Sequence, residues 1–239
     1  MTQNTTSPAI IRGSFKVKSK IYLTPHYIRI VLTGDELNRF AHLTVGAHNK
    51  IFIPPANPQQ DPIRRTYTHR ALDTEKGEMH IDFVAHGDEG PASSWAIHCK
   101  EGDPLDVAMK DKANPLFPPA DWYLLAGDHT ALPVISVILE TLPANATGSA
   151  IIQVAGPEDI LDLKTPAHFK LKWIYKGNNN ELTNAVKDIV IPAQCSRFVF
   201  LAAEAEAIKN MRTYFTEKGL TREELSAQNY WKAGNAEGS

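Results

Sequence analysis

The sequence predicts two folds in series: a small antiparallel β-barrel, then an α/β domain built on a parallel sheet. Three observations carry this. The residues before position 114 hold six or so short apolar segments alternating with period two, and few helical stretches, the pattern of an antiparallel barrel or sandwich. A proline-rich stretch, "NPLFPPAD" at 114–121, then interrupts the chain. Beyond it, unbroken apolar runs alternate with helix-length segments, which places helices on the faces of a parallel sheet. The expected domains are therefore 1–118 and 119–239.

Each element has its own signal. "FKVKSKIYL" sets Phe15 and Val17, then Ile21 and Leu23, at alternate positions, and "YIRIVL" does the same with Ile28, Ile30 and Leu32. One face of each strand is thereby apolar. "KIFIPP", "TYTHRAL", "EMHIDFVAHG" and "DPLDVAM" follow as short strands, separated by Gly, Pro and Asn. In the second half "WYLLAG" reads as a buried strand and "TALPVISVILETL" as a helix. "SAIIQVAG", "KLKWIYKG" and "RFVFLAAE" add three buried strands, with helices expected over 182–190 and 205–218. In the last helix Ile208, Met211 and Phe215 recur at helical spacing and Gly219 supplies the stop.

Composition narrows the function. A formal net charge of −2 argues against a broad nucleic-acid footprint, so any positive site must be local. Cys99 and Cys195 form no CxxC pair, which leaves no basis for a disulfide framework or an iron–sulfur cluster. His26, His42, His48, His80, His98 and His168 show no metal-ligand spacing, and no protein-bound metal is expected. "MTQNTTSPAI" lacks the basic start and apolar run of a secretory signal. No stretch approaches the roughly 18 apolar residues of a membrane span. The expectation is a cytoplasmic protein with neither a nucleic-acid nor a membrane partner.

Against that background, "RRTYTHR" at 64–70 is anomalous. Like charges this close repel unless an anion lies among them. On a strand Arg65, Tyr67 and His69 share a face, which suits a ligand flat at one end and phosphorylated at the other. Tyr67 offers a ring for stacking, Arg65 a bidentate fork for phosphate, and Thr68 a hydroxyl. The spacing alone equally fits a solvated edge strand. A second stretch, "HGDEGPASSWA" at 86–96, puts Pro91 at a first helical position after Gly90, with Ala92 and Ser93 behind it. Such a helix start is an anion site or a plain connector.

Taken together, these stretches resemble the siderophore-interacting protein family, FAD-dependent ferric-siderophore reductases of the ferredoxin-reductase-like superfamily. The family's Arg-x-Tyr-Thr-x-Arg motif falls on Arg65, Tyr67, Thr68 and Arg70, and its His-Gly-x-x-Gly-Pro-Ala-Ser-x-Trp-Ala on His86 to Ala96. Gly-Asp-x-Thr-Ala-Leu-Pro is matched from Gly127 to Pro133, and a late Tyr-Trp-(Arg or Lys)-x-Gly from Tyr230 to Gly234. The resemblance covers nearly the whole chain in the right order. It implies an N-terminal flavin barrel and a ferredoxin-reductase-type α/β domain whose C-terminal tail returns to flavin and substrate. It implies FAD contacts at Arg65, Tyr67, Thr68, His69, Arg70, Asp82, Val84, His86, Gly90, Pro91, Ala92 and Ser93. In the second half it implies contacts at Asp128, Thr130, Ala131, Tyr230 and Trp231.

The resemblance further implies a basic site for an anionic ferric siderophore, here Lys50, His129 and Lys232. Lys232 stands where the family more often has arginine, and a histidine with a pKa near ~6.5 is largely uncharged at neutral pH. The implied reaction reduces chelated Fe(III) to Fe(II), with NAD(P)H or a reduced ferredoxin as donor and ferredoxin as a possible protein partner. No side chain is expected to serve as general acid, base or nucleophile, because the cofactor carries the chemistry. "AGDHTALP" lacks the GxGxxG of a dinucleotide fold, so the donor stays open, and Glu204 reads as a helix start. Two other functions share these features: an NAD(P)H:flavin reductase that releases its flavin, and a non-enzymatic carrier of ferric chelates.

Overall fold

In the computed structural model, which describes residues 8–55, 57, 59–88, 90–177 and 180–234, period-two alternation becomes strand β1 (Ile10–Thr24). It buries Phe15 and Val17 and exposes Lys16 and Lys18. Then come β2 (Tyr27–Thr33), β3 (His48–Ile53), β4 (Ile63–Thr68), β5 (Ala71–Asp73), β6 (Glu78–Val84) and β7 (Pro104–Lys110). One helix, α1 (Pro91–His98), separates the last two strands. The seven strands form one sheet in the order β4-β3-β7-β1-β2-β6-β5. The pairs β1–β7, β3–β4, β3–β7 and β5–β6 run antiparallel.

The two edge strands of this sheet, β4 and β5, are consecutive in the chain and joined only by His69 and Arg70. Two residues cannot span a flat seven-stranded sheet, since strands lie about 4.8 Å apart. The sheet therefore curls into a half-barrel whose edges meet at that link, and Tyr67 of β4 touches Phe83 of β6. Phe15, Ile28, Ile30, Ile51, Ile81, Phe83, Leu105 and Val107 fill the inside. "TYTHRAL" is thus two strands rather than the single one its sequence suggests, broken where the chain passes between edges.

The second sheet comprises β8 (Trp122–Asp128), β9 (Thr147–Val154), β10 (His168–Tyr175), β11 (Arg197–Glu204) and β12 (Leu225–Trp231). Helices α2 (Leu132–Thr141), α3 (Glu181–Lys187) and α4 (Ala205–Glu217) connect them. All four strand pairings are parallel, in the order β10-β9-β8-β11-β12. The chain winds outward from β8 to β10, then returns to the other side of β8. That reversal creates a switch point between the carboxyl ends of β8 and β11, where open α/β sheets bind ligands. Ile208, Met211 and Phe215 of α4 pack with Leu124, Val199 and Leu201 of the sheet. Strand β12 was not expected: "LSAQNYW" is a half-buried edge with no apolar run.

The chain divides into two compact units, one of residues up to Ile21 with Ile28–Leu116, the other of Tyr22–Tyr27 with Phe117 onward. The tip of the first hairpin belongs to the second unit for a specific reason. Thr24 Oγ1 donates to Asp159 Oδ1 at 2.7 Å, and His26 Nδ1 lies 3.0 Å from Asp159 Oδ2. No described helix is long and apolar enough to cross a membrane.

Candidate functional site

In the barrel unit, register decides which side chains share a face. Arg65 lies opposite Ile51 and Tyr67 opposite Asn49, whereas Lys50 faces Thr66 and Phe52 faces Arg64. Arg65 and Tyr67 therefore stand on the inner face of the sheet's edge, half-buried at its unpaired margin. The ring of Tyr67 lies 4.4 Å from that of Phe83, which in turn lies 5.6 Å from Trp95. Burial pushes the Tyr67 phenol above its usual range, with the Arg65 guanidinium pulling the other way. The phenol stays neutral, and its ring is a supported platform.

The four basic residues of the 64–70 stretch take four different roles. Arg64 is exposed on the outer face. Arg65 stands beside Tyr67. His69, one residue past the end of β4, is fully enclosed at 0% exposure, and burial lowers its imidazole to about 4. It is neutral at pH 7 and offers no charge to a phosphate. Arg70 points at Asp82, with Nε 3.7 Å from Oδ2.

Asp82 in turn accepts a bidentate pair from Arg29, at 2.7 and 2.8 Å. Its carboxylate, 1% exposed, is committed to these two guanidiniums, so Asp82 positions Arg70. Sequence reasoning passed over Arg29, although a guanidinium between Ile28 and Ile30 in an apolar strand is a visible signal.

The second barrel motif forms a helix entry. Gly90 caps α1 without a side-chain hydrogen bond, and Pro91 occupies its first turn. Ser93 Oγ accepts from the His86 N–H at 2.9 Å and donates to Gly87 O at 2.7 Å, fixing the approach loop. The His86 ring packs against Gly90, where a Cβ would come within 2.6 Å of it. With the serine hydroxyl spent on the loop, the Ala92 and Ser93 N–H groups remain at the positive end of the helix dipole. Val84 ends β6, half-buried. Supported ring, guanidinium and uncapped helix start fit a flavin dinucleotide's flat head and diphosphate.

In the α/β unit one carboxylate organises the switch point. Asp128 ends β8 at 4% exposure. Its Oδ1 accepts from the Thr130 N–H at 2.9 Å and from Thr130 Oγ1 at 2.5 Å. Its Oδ2 accepts from the Glu204 N–H at 3.1 Å and from the Trp231 indole N–H at 2.7 Å. Three of the expected contacts, Asp128, Thr130 and Trp231, are thus bound to one another, and the C-terminal strand is tied to β8 and β11. Gly127 permits this packing, because a Cβ there would lie 2.5 Å from both the Ala202 carbonyl oxygen and Ala131 Cβ.

Ala131 is itself buried at the start of α2, so only its backbone can face a ligand. His129 and Tyr230 are half-buried and Lys232 exposed. Glu204 caps α4, accepting from the Glu206 and Ala207 N–H groups. Lys50, on the outer face, donates to Thr66 Oγ1. The structure does not bring it to the face that carries Tyr67. Sequence spacing also missed His26, Glu158 and Asp159, whose ligand atoms lie within 4.8 Å of one another.

Comparison with known proteins reads this geometry. The profile of the "Siderophore-interacting protein" family matches residues 120–234, and that of the "Siderophore-interacting FAD-binding domain" matches 16–62 and 56–111. Ferric vibriobactin reductase of Vibrio cholerae is 32% identical, over 91% of this chain and 88% of its own length. The chain belongs to the siderophore-interacting protein family. A solved family structure, from Aeromonas hydrophila, superposes with a TM-score of 0.83 at 33% identity, covering 96% of this chain and 93% of that one. A ferredoxin–NADP+ reductase from Neisseria gonorrhoeae, at 14% identity and a TM-score of 0.61, covers 91% of this chain and 98% of its own. It shares the fold alone. The barrel of this siderophore-interacting protein is the FAD-binding half of a ferredoxin-reductase-type fold.

Proposed function

We propose that this siderophore-interacting protein is an FAD-dependent ferric-siderophore reductase that works in the cytoplasm and releases Fe(II) for assimilation. The observation that carries the reading is the pairing of a supported ring, Tyr67, with Arg65 at an open sheet edge, in a barrel that matches the FAD-binding domain. Arg65 and the first turn of α1 hold the diphosphate. Tyr67 lies against the ring system, with Thr68 next to it, and Asp82 keeps Arg70 oriented without itself touching the ligand. FAD, once bound, accepts two electrons together and gives them up singly, which reconciles a hydride donor with a one-electron metal.

With NAD(P)H as donor the balance is NAD(P)H + 2 Fe(III) → NAD(P)+ + H+ + 2 Fe(II). A reduced ferredoxin is the alternative donor. Fe(III) is held by hard oxygen donors far more tightly than Fe(II), so reduction loosens the chelate. Lys232 supplies positive potential at the switch point, joined by His129 once it is protonated, and Lys50 does so at the barrel. No side chain of this set has to move a proton at the metal. A cytoplasmic setting agrees with Cys99 and Cys195 as free thiols, Cys99 buried.

The test is direct. The purified chain, loaded with FAD and held anaerobically, should bleach with NADH, NADPH or reduced ferredoxin and regain its colour on addition of a ferric chelate, with stoichiometric Fe(II) release. Lys232→Glu should slow that reoxidation at unchanged flavin content. Bleaching without reoxidation by any ferric chelate would sink the proposal.

A further inference from the structure

One side-chain cluster of the α/β unit lies outside every motif above. At the tip of the first hairpin Thr24 ends β1, Pro25 and His26 make the turn, and Tyr27 opens β2. These tip residues belong to the same compact unit as Glu158 and Asp159, which sit in the single-turn helix Pro157–Asp159 between β9 and β10. The ligand atoms of His26, Glu158 and Asp159 all lie within 4.8 Å of one another, and no other three His, Cys, Asp or Glu side chains among the described residues come together in this way. Sequence spacing hides the set, because 133 residues separate His26 from Asp159.

Three acids are buried among the described residues: Asp82, Asp128 and Asp159. Two guanidiniums flank Asp82, and four hydrogen bonds end on Asp128. Asp159, with its side chain 8% exposed, meets the Thr24 hydroxyl at 2.7 Å and the His26 ring at 3.0 Å. Beside it stands a second carboxylate, Glu158, and no described lysine or arginine pairs with either. Two carboxylates this close repel unless a cation lies between them. Glu158 folds back over Gly156, where a Cβ would lie 2.4 Å from Oε2, so the glycine leaves the carboxylate its place.

We propose that His26, Glu158 and Asp159 bind a first-row divalent cation of the zinc class, which pins the hairpin tip to the 157–159 turn. The inference is independent of the reductase reading. Zinc bonds to nitrogen and oxygen of about 2.0–2.2 Å set neighbouring ligand atoms roughly 3.0–3.5 Å apart. His26 Nδ1 and Asp159 Oδ2 already stand at 3.0 Å, and their hydrogen bond gives way to the metal. The exposed Glu158 closes the set by side-chain rotation, and solvent takes the remaining position. Thr24 holds Asp159 through Oδ1 and leaves Oδ2 for the ion, as the outer partners of ligating carboxylates do. One imidazole with two carboxylates selects against calcium and magnesium, which favour oxygen alone, and against copper(I), which favours sulfur.

Calorimetric titration of the FAD-loaded full chain, freed of metal with EDTA, tests this with zinc chloride. One zinc per chain should bind, at least tenfold more tightly than calcium or magnesium. The affinity should fall at least tenfold in His26→Ala and in Glu158→Gln, both exposed positions, while each variant keeps its flavin. It should be unchanged in His42→Ala, which removes a His–Asp pair that lacks a third ligand among the described residues. Zinc at a hundredfold excess over its dissociation constant should raise Tm by about 5–10 °C, and the rise should vanish in His26→Ala. No saturable binding, equal affinity for calcium, or zinc held equally by His26→Ala and Glu158→Gln (an adventitious ion only) would overturn the assignment. Zinc bound at this site with Tm unmoved would overturn the pinning role.

Discussion

Replacing Asp128 by asparagine exchanges one oxygen for an amide nitrogen at the switch point, and the structure says what that should cost. The carboxylate accepts four hydrogen bonds, two on each oxygen. Asparagine keeps one oxygen, which will stay with the Glu204 and Trp231 N–H groups, neither of which can accept. Its NH2 then faces Thr130, whose hydroxyl can turn and accept but whose backbone N–H cannot. One buried N–H is left without an acceptor, a loss of about 1–3 kcal/mol, and the surviving bonds lose their charge assistance.

The expected total is about 3 kcal/mol, or a fall in Tm of roughly 6–12 °C for a chain of this size. Thermal melts followed by circular dichroism, with Trp231→Phe and the double variant alongside, measure it. The double-mutant cycle should return a coupling of about 1 kcal/mol, as contacting residues do. A cost for Asp128→Asn below about 1 kcal/mol would show that the carboxylate does not hold β12 to β8.

Other perturbations follow from the same geometry. Asp82→Ala leaves Arg29 and Arg70 without their shared partner and should cost about 3–5 kcal/mol in urea unfolding, with weaker FAD retention as the second readout. His69 is buried and neutral with its imidazole lowered from 6.5 to about 4. As pH falls the unfolded chain therefore takes up the proton first, and this stability is intact above 6.5 and lost on descent towards 4. The loss is about 2 kcal/mol by pH 5. His69→Leu should flatten the stability–pH curve across that window, and an unchanged slope would mean the imidazole is solvated. Gly127→Ala drives a methyl against the Ala202 carbonyl oxygen and Ala131, and should destabilise the α/β unit by about 1–3 kcal/mol in thermal melts.

Much of this was legible in the residues. Alternation in "FKVKSKIYL" and the apolar runs of the second half gave the strand types, because burial on one face or two leaves a direct trace in sequence. The helix starts at Pro91 and Glu204 were readable for the same reason: proline and acids go where backbone N–H groups point outward. What escaped was long-range. Strand β12 is polar, and its place is set by Trp231 reaching Asp128, 103 residues away, which no local pattern encodes. The 64–70 stretch pointed to a candidate site but not to the division of labour among its residues. Neutral His69 and Arg70 turned toward Asp82 depend on β6, while Arg64 and Arg65 part company through the register with β3. The outer face of the barrel sheet that gathers Arg12, Lys50, Arg64 and Lys110 is invisible in sequence, since its members come from four strands whose order only the sheet reveals.

The central claim, that Arg65 and Tyr67 at the barrel's open edge hold FAD, is best tested by titrating FAD into the flavin-stripped full chain and following flavin fluorescence. The account requires one FAD per chain, FMN bound far more weakly for want of the second phosphate, and affinity lowered at least a hundredfold in Arg65→Glu and at least tenfold in Tyr67→Ala. Full-strength binding by both variants, or none by the unmodified chain, would contradict it.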